Sequence, residues 1–242
     1  MRKLATAILS TALLTSAPTL VAAAALQVSP VSLDIPAPAA ATTIKLRNVG
    51  AAPINAQIRV FKWAQENGEE KLEPTEEVVA SPPLATLAPN TDYTVRLVRV
   101  SKKPVGGGET YRLLVDELPD NTVQRNGTIT MILRYSIPVF FYPANVTRPK
   151  LTWSIVHRGG KSYVSASNNG DRHVRLAGLK LQPANGAPIS YGEGLIGYVL
   201  GHSTKTWPIA DGKKIAAGSA VAITAQTDAG VISASASMQP AR

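Results

Sequence analysis

Residues 127–143 read GTITMILRYSIPVFFYP, and this stretch decides the fold. In its first part Ile129, Met131, Leu133, Tyr135 and Ile137 recur at every second position, with mostly polar residues between them. Such alternation is typical of a β-strand with one apolar face. At about 3.3 Å per residue the stretch would extend for about 50 Å, far beyond an average strand. A strand this long and apolar must be buried in its own domain or must pair with another chain, because an exposed edge of this kind aggregates.

The first 25 residues have the features of a secretory signal peptide. Arg2 and Lys3 form a positive start, an apolar segment follows, and residues 21–25 are mostly small. Polar residues and a proline interrupt the apolar segment, which favours cleavage over a permanent membrane anchor. We therefore expect residues 1–25 to be a signal peptide, the mature protein to be exported, and no membrane insertion after cleavage.

The composition is that of an exported protein with large cores. The 242-residue chain has no cysteine, so its stability must come from packing rather than from disulfide bonds. Its formal charge is +9, or +7 without Arg2 and Lys3, but the basic residues are scattered and aromatic residues make up only 5%. These features disfavour a nucleic-acid-binding surface, which combines clustered positive charge with aromatic side chains.

Short β-prone segments separated by Pro, Gly and Asn recur along the chain. They predict an all-β fold of two tandem immunoglobulin-like β-sandwich domains. A break after Tyr142 marks the connection, so we expect an N-terminal domain at residues 26–143 and a C-terminal domain at residues 146–242. The expected strands are 26–33, 42–48, 54–63, 91–100, 111–118 and 128–142 in the first domain, and 151–158, 162–168, 174–181, 197–200, 204–208, 220–227 and 232–239 in the second.

Motifs that carry catalysis or bind cofactors lack their structural context here. Residues 192–197 read GEGLIG, a dinucleotide-binding pattern, but β-prone residues rather than a helix follow them. The three histidines are well separated and have no cysteine or acidic ligand pattern beside them. Asp116 and Glu117 would point to opposite faces of a strand, so an ion pair or a solvated position is the expected role of each. We expect no enzyme activity, no cofactor and no metal site.

A set of short motifs occurs in an order and spacing that are specific as a whole. They are VASPP (79–83), LAP (87–89), VRL (95–97), YRL (111–113), DELP (116–119), IPVF (137–140) with Pro143, SN (167–168) with Val174, and GYVL (197–200). With them the chain resembles the periplasmic pilus chaperones of the chaperone–usher pathway, and most of all their archaic branch. The resemblance covers nearly the whole mature chain and implies two immunoglobulin-like domains and a role in fimbrium biogenesis.

The resemblance also implies how the alternating stretch acts. Family members bind pilus subunits, which are sandwiches lacking their final strand, lend them a strand, and deliver them to an outer-membrane usher. The subunit-binding residues would be Ile129, Met131, Leu133, Tyr135 and Ile137. The residues themselves agree, since an edge strand satisfies a partner's backbone groups while alternate side chains enter its pockets. An ordinary core strand is the alternative for the stretch, and an exported structural or adhesive protein of the cell surface is the alternative for the function.

One part of the family pattern is missing. Better-known members grip the terminal carboxylate of the subunit with an arginine on the first strand and a lysine late on the donor strand. Here Pro138 stands at the lysine position, and Val31 or Ser32 lies near the arginine position. A replacement needs a guanidinium that binds a carboxylate through two hydrogen bonds. The candidate anchors are Arg96, Arg112 and Arg134, with the first two preferred.

Overall fold

The computed structural model describes residues 25–119, 132–210, 215 and 218–237, and every long regular element in these ranges is a β-strand. Within these ranges no helical segment has the length and hydropathy that spanning a lipid bilayer requires. The first sandwich contains β1 (Leu26–Ser29), β2 (Leu33–Pro36), β3 (Ala41–Asn48), β4 (Ile54–Glu66), β5 (Glu69–Pro74), β6 (Val78–Ser81), β7 (Leu84–Leu87), β8 (Asp92–Arg99), β9 (Glu109–Leu118) and β10 (Arg134–Tyr142). The second contains β11 (Leu151–Arg158), β12 (Lys161–Asn168), β13 (Val174–Pro183), β14 (Ile189–Ser190), β15 (Leu195–Val199), β16 (Ser203–Pro208), β17 (Ala220–Thr227) and β18 (Gly230–Ser237).

The first sandwich packs a four-stranded sheet, in the order β1-β3-β8-β6, against a six-stranded sheet. The latter has the order β2-β10-β9-β4-β5, with β7 also paired to β4. Alternate residues of each strand point inwards, so that Ile44, Leu46, Leu97, Leu113 and Phe141 are fully buried. Burying each such side chain contributes about 1.5–3 kcal/mol, which is the main source of stability in a chain without disulfides.

The first strand of the sandwich changes sheets. Residues 26–33 are predicted as one strand, but β1 pairs with β3 in one sheet and β2 pairs with β10 in the other. Pro30 follows β1 and has no N–H to donate to a strand ladder, so the pairing ends there. The two short strands therefore lie at the edges of the two sheets, and β2 is the one that lies beside β10.

The second sandwich packs β11-β12-β16 against a sheet in the order β14-β13-β17-β18, with β15 also paired to β13. Its fully buried core side chains are aliphatic, among them Ile155, Val164, Leu176 and Ile223. The two sandwiches follow one another along the chain, and the prediction of an all-β fold with two tandem sandwiches is confirmed.

Several short strands were not predicted. β5 reads EEKLEP, a sequence without the apolar alternation that would predict a strand, and all six of its residues are exposed. It forms because Asn67 and Gly68, both at positive φ, make the two-residue turn of a β4–β5 hairpin. Residues 1–24 of the expected signal peptide, and Ile129 and Met131 of the alternating stretch, lie outside the described residues.

Candidate functional site

One edge of β10 is half open. Residues 134–141 pair with β9, but on its other side β10 pairs with β2 only at residues 139–142. The Glu117 amide donates to the Leu133 carbonyl at 3.0 Å, which extends the pairing with β9 one residue before β10. Residues 134–138 therefore have no strand partner on the outer side among the described residues, and we name this segment the open edge.

The alternating row passes from the open edge into the core of the first sandwich. Leu133 is half-buried, while Tyr135 packs against the core and donates its hydroxyl hydrogen to the Leu26 carbonyl. Ile137 is only 3% exposed and belongs to the core. This burial corrects the assignment of Ile137 to the partner-facing row, because its side chain already packs within its own sandwich. The part of the alternating row whose side chains can contact a partner therefore ends near Tyr135.

A second apolar cluster, the interdomain cluster, joins the outer face of the six-stranded sheet to the second sandwich. Its buried members are Trp63, Phe140, Tyr142, Tyr198 and Leu200. The Trp63 ring lies 5.5 Å from the Tyr198 ring, edge-on, and 6.0 Å from the Phe140 ring. His173 of the second sandwich stacks on Phe140 with ring centroids 3.7 Å apart. Large rings in such edge-on and stacked arrangements hold the two sandwiches against each other.

Arg112 lies at the margin of the interdomain cluster, and its side chain is only 12% exposed. Its guanidinium carbon is 3.6 Å from the centroid of the Trp63 ring and 5.3 Å from that of Tyr198, within range of cation–π attraction. Its one ion-pair partner among the described residues is Glu70, at 3.7 Å. Burial lowers the pKa of Arg112 and Glu70 opposes this, but an arginine stays charged at neutral pH. The margin of the interdomain cluster between the two sandwiches, which we name the cleft, therefore holds a positive charge that Glu70 balances only weakly.

The structure does not bring the three candidate anchors together. Arg96 is exposed on β8, on the outer face of the four-stranded sheet, so the sandwich core separates it from the cleft. Arg134 begins β10 and its side chain is largely exposed. Arg112 alone of the three faces the second sandwich, and it lies directly opposite Pro138 in the β9–β10 pairing.

Asp116 binds two arginines on the outer face of the six-stranded sheet. Arg59 donates from Nη2 to one carboxylate oxygen at 2.5 Å, and Arg134 donates to both oxygens. Burial acts to raise the pKa of Asp116, but hydrogen bonds from Arg134 and Arg59 outweigh it and lower that pKa. The ion-pair role expected for Asp116 is confirmed, and Arg134 has its carboxylate partner within the chain.

The β4–β5 hairpin joins the two sandwiches through hydrogen bonds to backbone groups of the second sandwich. The buried Gln65 side chain donates to the Tyr198 carbonyl at 2.7 Å and accepts from the Leu200 amide at 3.0 Å. At the turn, the Gly68 carbonyl accepts a hydrogen bond from the Thr206 amide at 3.0 Å. A Cβ at Gly68 would lie 2.4 Å from Thr206 Oγ1, so this close approach requires glycine. The hairpin tip thus fixes how the second sandwich lies against Arg112 and Trp63.

Sequence reasoning did not predict the interdomain cluster, because Trp63, Tyr198 and His173 are far apart along the chain. A signal was nevertheless present in β10. Val139 and Phe141 face the core of the first sandwich, while Phe140 and Tyr142 on the opposite face are equally buried. A strand that is apolar on both faces has to be covered on both.

The remaining motifs show no cofactor geometry. In the segment 192–197 the glycines lead into strand β15 at Leu195 rather than into a helix. No group of three or more side chains suited to holding a metal ion occurs within the described ranges.

Comparison with known proteins places these features in a family. The profile described as "Pili and flagellar-assembly chaperone, PapD N-terminal domain" matches residues 25–147, slightly more than half of the chain. No curated protein matches the sequence. Among solved structures, a chain of the CsuC–CsuE chaperone–tip adhesion subunit pre-assembly complex, from archaic chaperone-usher Csu pili of Acinetobacter baumannii, is 28% identical. The match covers 90% of this chain and 100% of that one, with a TM-score of 0.71.

Two more distant structures share the fold. The YadV chaperone is 16% identical, with a TM-score of 0.62 and coverage of 89% of this chain and 100% of that chain. A chain of the SafA pilin–SafB chaperone complex of Salmonella enterica is 18% identical, with a TM-score of 0.59 and coverage of 86% and 95%. The similarity to the Csu complex agrees with the predicted likeness to the archaic branch. By the extent of the profile match, the chain belongs to the family of pili and flagellar-assembly chaperones.

Proposed function

We propose that this protein is a periplasmic chaperone that binds and folds pilus subunits by donor-strand complementation and delivers them to an outer-membrane usher. Family membership supports the chaperone role, and the similarity to the Csu chaperone–subunit complex supports pilus subunits as partners. The single observation that carries the mechanism is the open edge of β10, which continues directly from the alternating row. No observation favours the alternative of a structural or adhesive surface protein.

The open edge offers backbone N–H and C=O groups that a subunit strand would satisfy. The groove of the subunit would take the side chains of Ile129, Met131 and Leu133. Tyr135 would stay packed against the core of its own sandwich. Each apolar side chain buried in this way contributes about 1.5–3 kcal/mol before the costs of association. Ile137 anchors the strand from within the core, so the edge is presented in a fixed register.

Arg112 is our candidate for the carboxylate anchor. It lies beside Pro138, the position where the resemblance places the missing lysine, but on the neighbouring strand. Stacking on Trp63 fixes the plane of the guanidinium, which favours two parallel hydrogen bonds to a carboxylate. Arg96 lies on the other sheet, and Arg134 is bound to Asp116, so both are weaker candidates.

The proposal includes an organisation for the full chain. Residues 1–25 act as the export signal, residues 26–143 form the domain that donates the strand, and residues 146–242 form the second domain. A deletion of residues 2–25 should keep the protein in the cytoplasm, whereas the full chain should appear in the osmotic-shock fraction. Retention of the full chain in the membrane fraction would contradict cleavage and periplasmic release.

Two charge substitutions test the donor strand. Met131→Asp and Leu133→Asp should each abolish co-purification with a co-expressed pilin-like subunit, because a carboxylate cannot enter an apolar groove without a large desolvation cost. Ile132→Asp is the matched control, since Ile132 is 55% exposed and the alternation places it on the face opposite to Met131 and Leu133. All three variants should unfold near the wild-type midpoint. Capture that survives both Met131→Asp and Leu133→Asp would overturn the mechanism.

A further inference from the structure

The second sandwich has an open seam on the side where β11 and β18 face each other. β11 is an edge strand of one sheet and β18 is an edge strand of the other, and they are not paired with each other. A cavity of about 440 Å³ lies there, with Leu151 and Trp153 of β11 on one side and Ile232 and Ala234 of β18 on the other. We name this region the β11–β18 seam.

β18 lacks the features that protect an exposed edge. It reads GVISASAS, without charge or proline, and it pairs with β17 over eight consecutive positions without a bulge. Edge strands usually carry lysine, proline or a bulge that prevents further pairing. Counted from the two-residue turn at 228–229, Ser233 and Ser235 occupy positions whose amide and carbonyl groups point away from β17. Within the described ranges no strand pairs with these backbone groups, so they can accept another strand.

One end of the seam carries an excess of positive charge. Arg148 and Arg175 line the cavity together with Asp228. Arg175 lies 3.4 Å from Asp228, whereas Arg148 has no ion pair with any described residue. A strand added antiparallel to β18 would end near Gly230, next to these arginines. The charge therefore favours an acidic group at the carboxyl end of such a strand.

We propose that the β11–β18 seam is a second docking site, which takes an extended segment of a partner protein. The segment adds antiparallel to β18, places alternate apolar side chains over Trp153, and brings an acidic carboxyl end to Arg148 and Arg175. This mode is β-strand addition, in which backbone hydrogen bonds give affinity and the cavity and charges give selectivity. The cavity reaches the interdomain cluster at His173, but no residue of the open edge lines it, and the proposal does not depend on the donor-strand mechanism.

A pair of synthetic peptides tests the site on the full mature chain. The probe alternates valine and threonine over eight residues and ends in two glutamates; the control peptide ends in two lysines. By fluorescence anisotropy the acidic peptide should bind saturably and at least about tenfold more tightly than the basic one. Hydrogen exchange at the Ser233 and Ser235 amides should slow on binding. Equal binding of the two peptides, or no binding of either, would overturn the proposal.

Variants locate the binding. Arg148→Glu and Arg175→Glu should each weaken the acidic peptide about three- to tenfold, while Arg158→Glu, at the far end of β11 and outside the cavity, should not. Ser235→Pro should abolish binding because it removes an edge amide without breaking a bond to β17. If Ser235→Pro fails to fold, the arginine variants decide.

Two further results would name another occupant and so overturn the proposal. Binding that occurs only after deletion of residues 238–242 would show that the chain's own carboxyl terminus occupies the seam. A concentration-dependent dimer in analytical ultracentrifugation, dissociated by Ser235→Pro, would show that a second copy of the chain does.

Discussion

Arg112 faces Pro138 across the β9–β10 pair while its guanidinium lies 3.6 Å from the centroid of the Trp63 ring. A lysine at position 138 would place its charge on the open-edge strand itself, and here the charge lies one strand further into the sheet. Contact with the Trp63 ring compensates for part of the hydration that Arg112 loses on burial. The Glu70 carboxylate neutralises the Arg112 charge only weakly, because the nearest nitrogen and oxygen atoms are 3.7 Å apart. A carboxylate that enters the cleft would therefore find a positioned guanidinium.

Replacing Arg112 should weaken subunit binding. Arg112→Ala should cost about 10- to 100-fold in affinity, the range expected for losing a charged hydrogen bond, and Arg112→Lys should fall between it and wild type. A subunit whose terminal carboxylate is replaced by a carboxamide should bind the wild-type chaperone more weakly. The same change should cost little further affinity in the Arg112→Ala variant, because the interaction is already lost. A double-mutant cycle measured by calorimetry tests this coupling. Arg96→Ala is the control. Unchanged affinity for Arg112→Ala would remove it as the anchor.

Leu133 and Ile137 belong to one alternating row but should respond differently to truncation. Ile137→Ala should lower the free energy of unfolding by about 2–5 kcal/mol, because it leaves a cavity in the core. Leu133→Ala should change stability by less than about 1 kcal/mol but strongly reduce subunit capture. Urea unfolding and pull-down of the same two variants test this division. Equal losses of stability would mean that the row is core throughout.

The β4–β5 hairpin should control how the two sandwiches are held. Gly68→Ala would place a Cβ 2.4 Å from Thr206 Oγ1 at a φ of +86°, so we expect the hairpin tip to separate from the second sandwich. Gly192→Ala is a matched control, since its φ is +87° and its Cβ would meet nothing within 4 Å. X-ray scattering should show a larger radius of gyration for Gly68→Ala alone. If both variants scatter alike, the contact at Thr206 does not hold the domains.

The sequence predicted the longer strands and missed the short strands β5, β6, β7 and β14. β3, β9 and β17 carry regular apolar periods, whereas the fully exposed β5 exists because of the Asn67-Gly68 turn and its pairing with β4. The same limit applies to the site. The alternating row is visible in sequence, but the meeting of Trp63, Arg112 and Tyr198 depends on how two sandwiches pack, which no local pattern encodes.

The buried His173 should make stability fall on mild acidification. Burial lowers the pKa of His173 from 6.5 to about 4; Arg172 acts in the same direction, whereas Asp34 and Asp228 oppose it. Between these two pKa values the unfolded chain binds a proton that the native state excludes. The free energy of unfolding therefore decreases as the pH falls from 7 to 5. Below about pH 4 both states bind the proton, and His173 causes no further loss of stability. The expected loss is about 1–2 kcal/mol at pH 5.

His173→Phe should retain the stack on Phe140 and remove most of this pH dependence. Tyr142→Phe loses the hydrogen bond to the imidazole but retains the histidine, so its stability should still fall between pH 7 and 5. Urea unfolding of the three proteins at both pH values measures the difference directly. A His173→Phe variant that loses as much stability as wild type would show that the proton is taken up elsewhere. Because His173 lies against Phe140 at the end of β10, protonation of the native imidazole near pH 4 should loosen the interdomain cluster, and Trp63 fluorescence should report it.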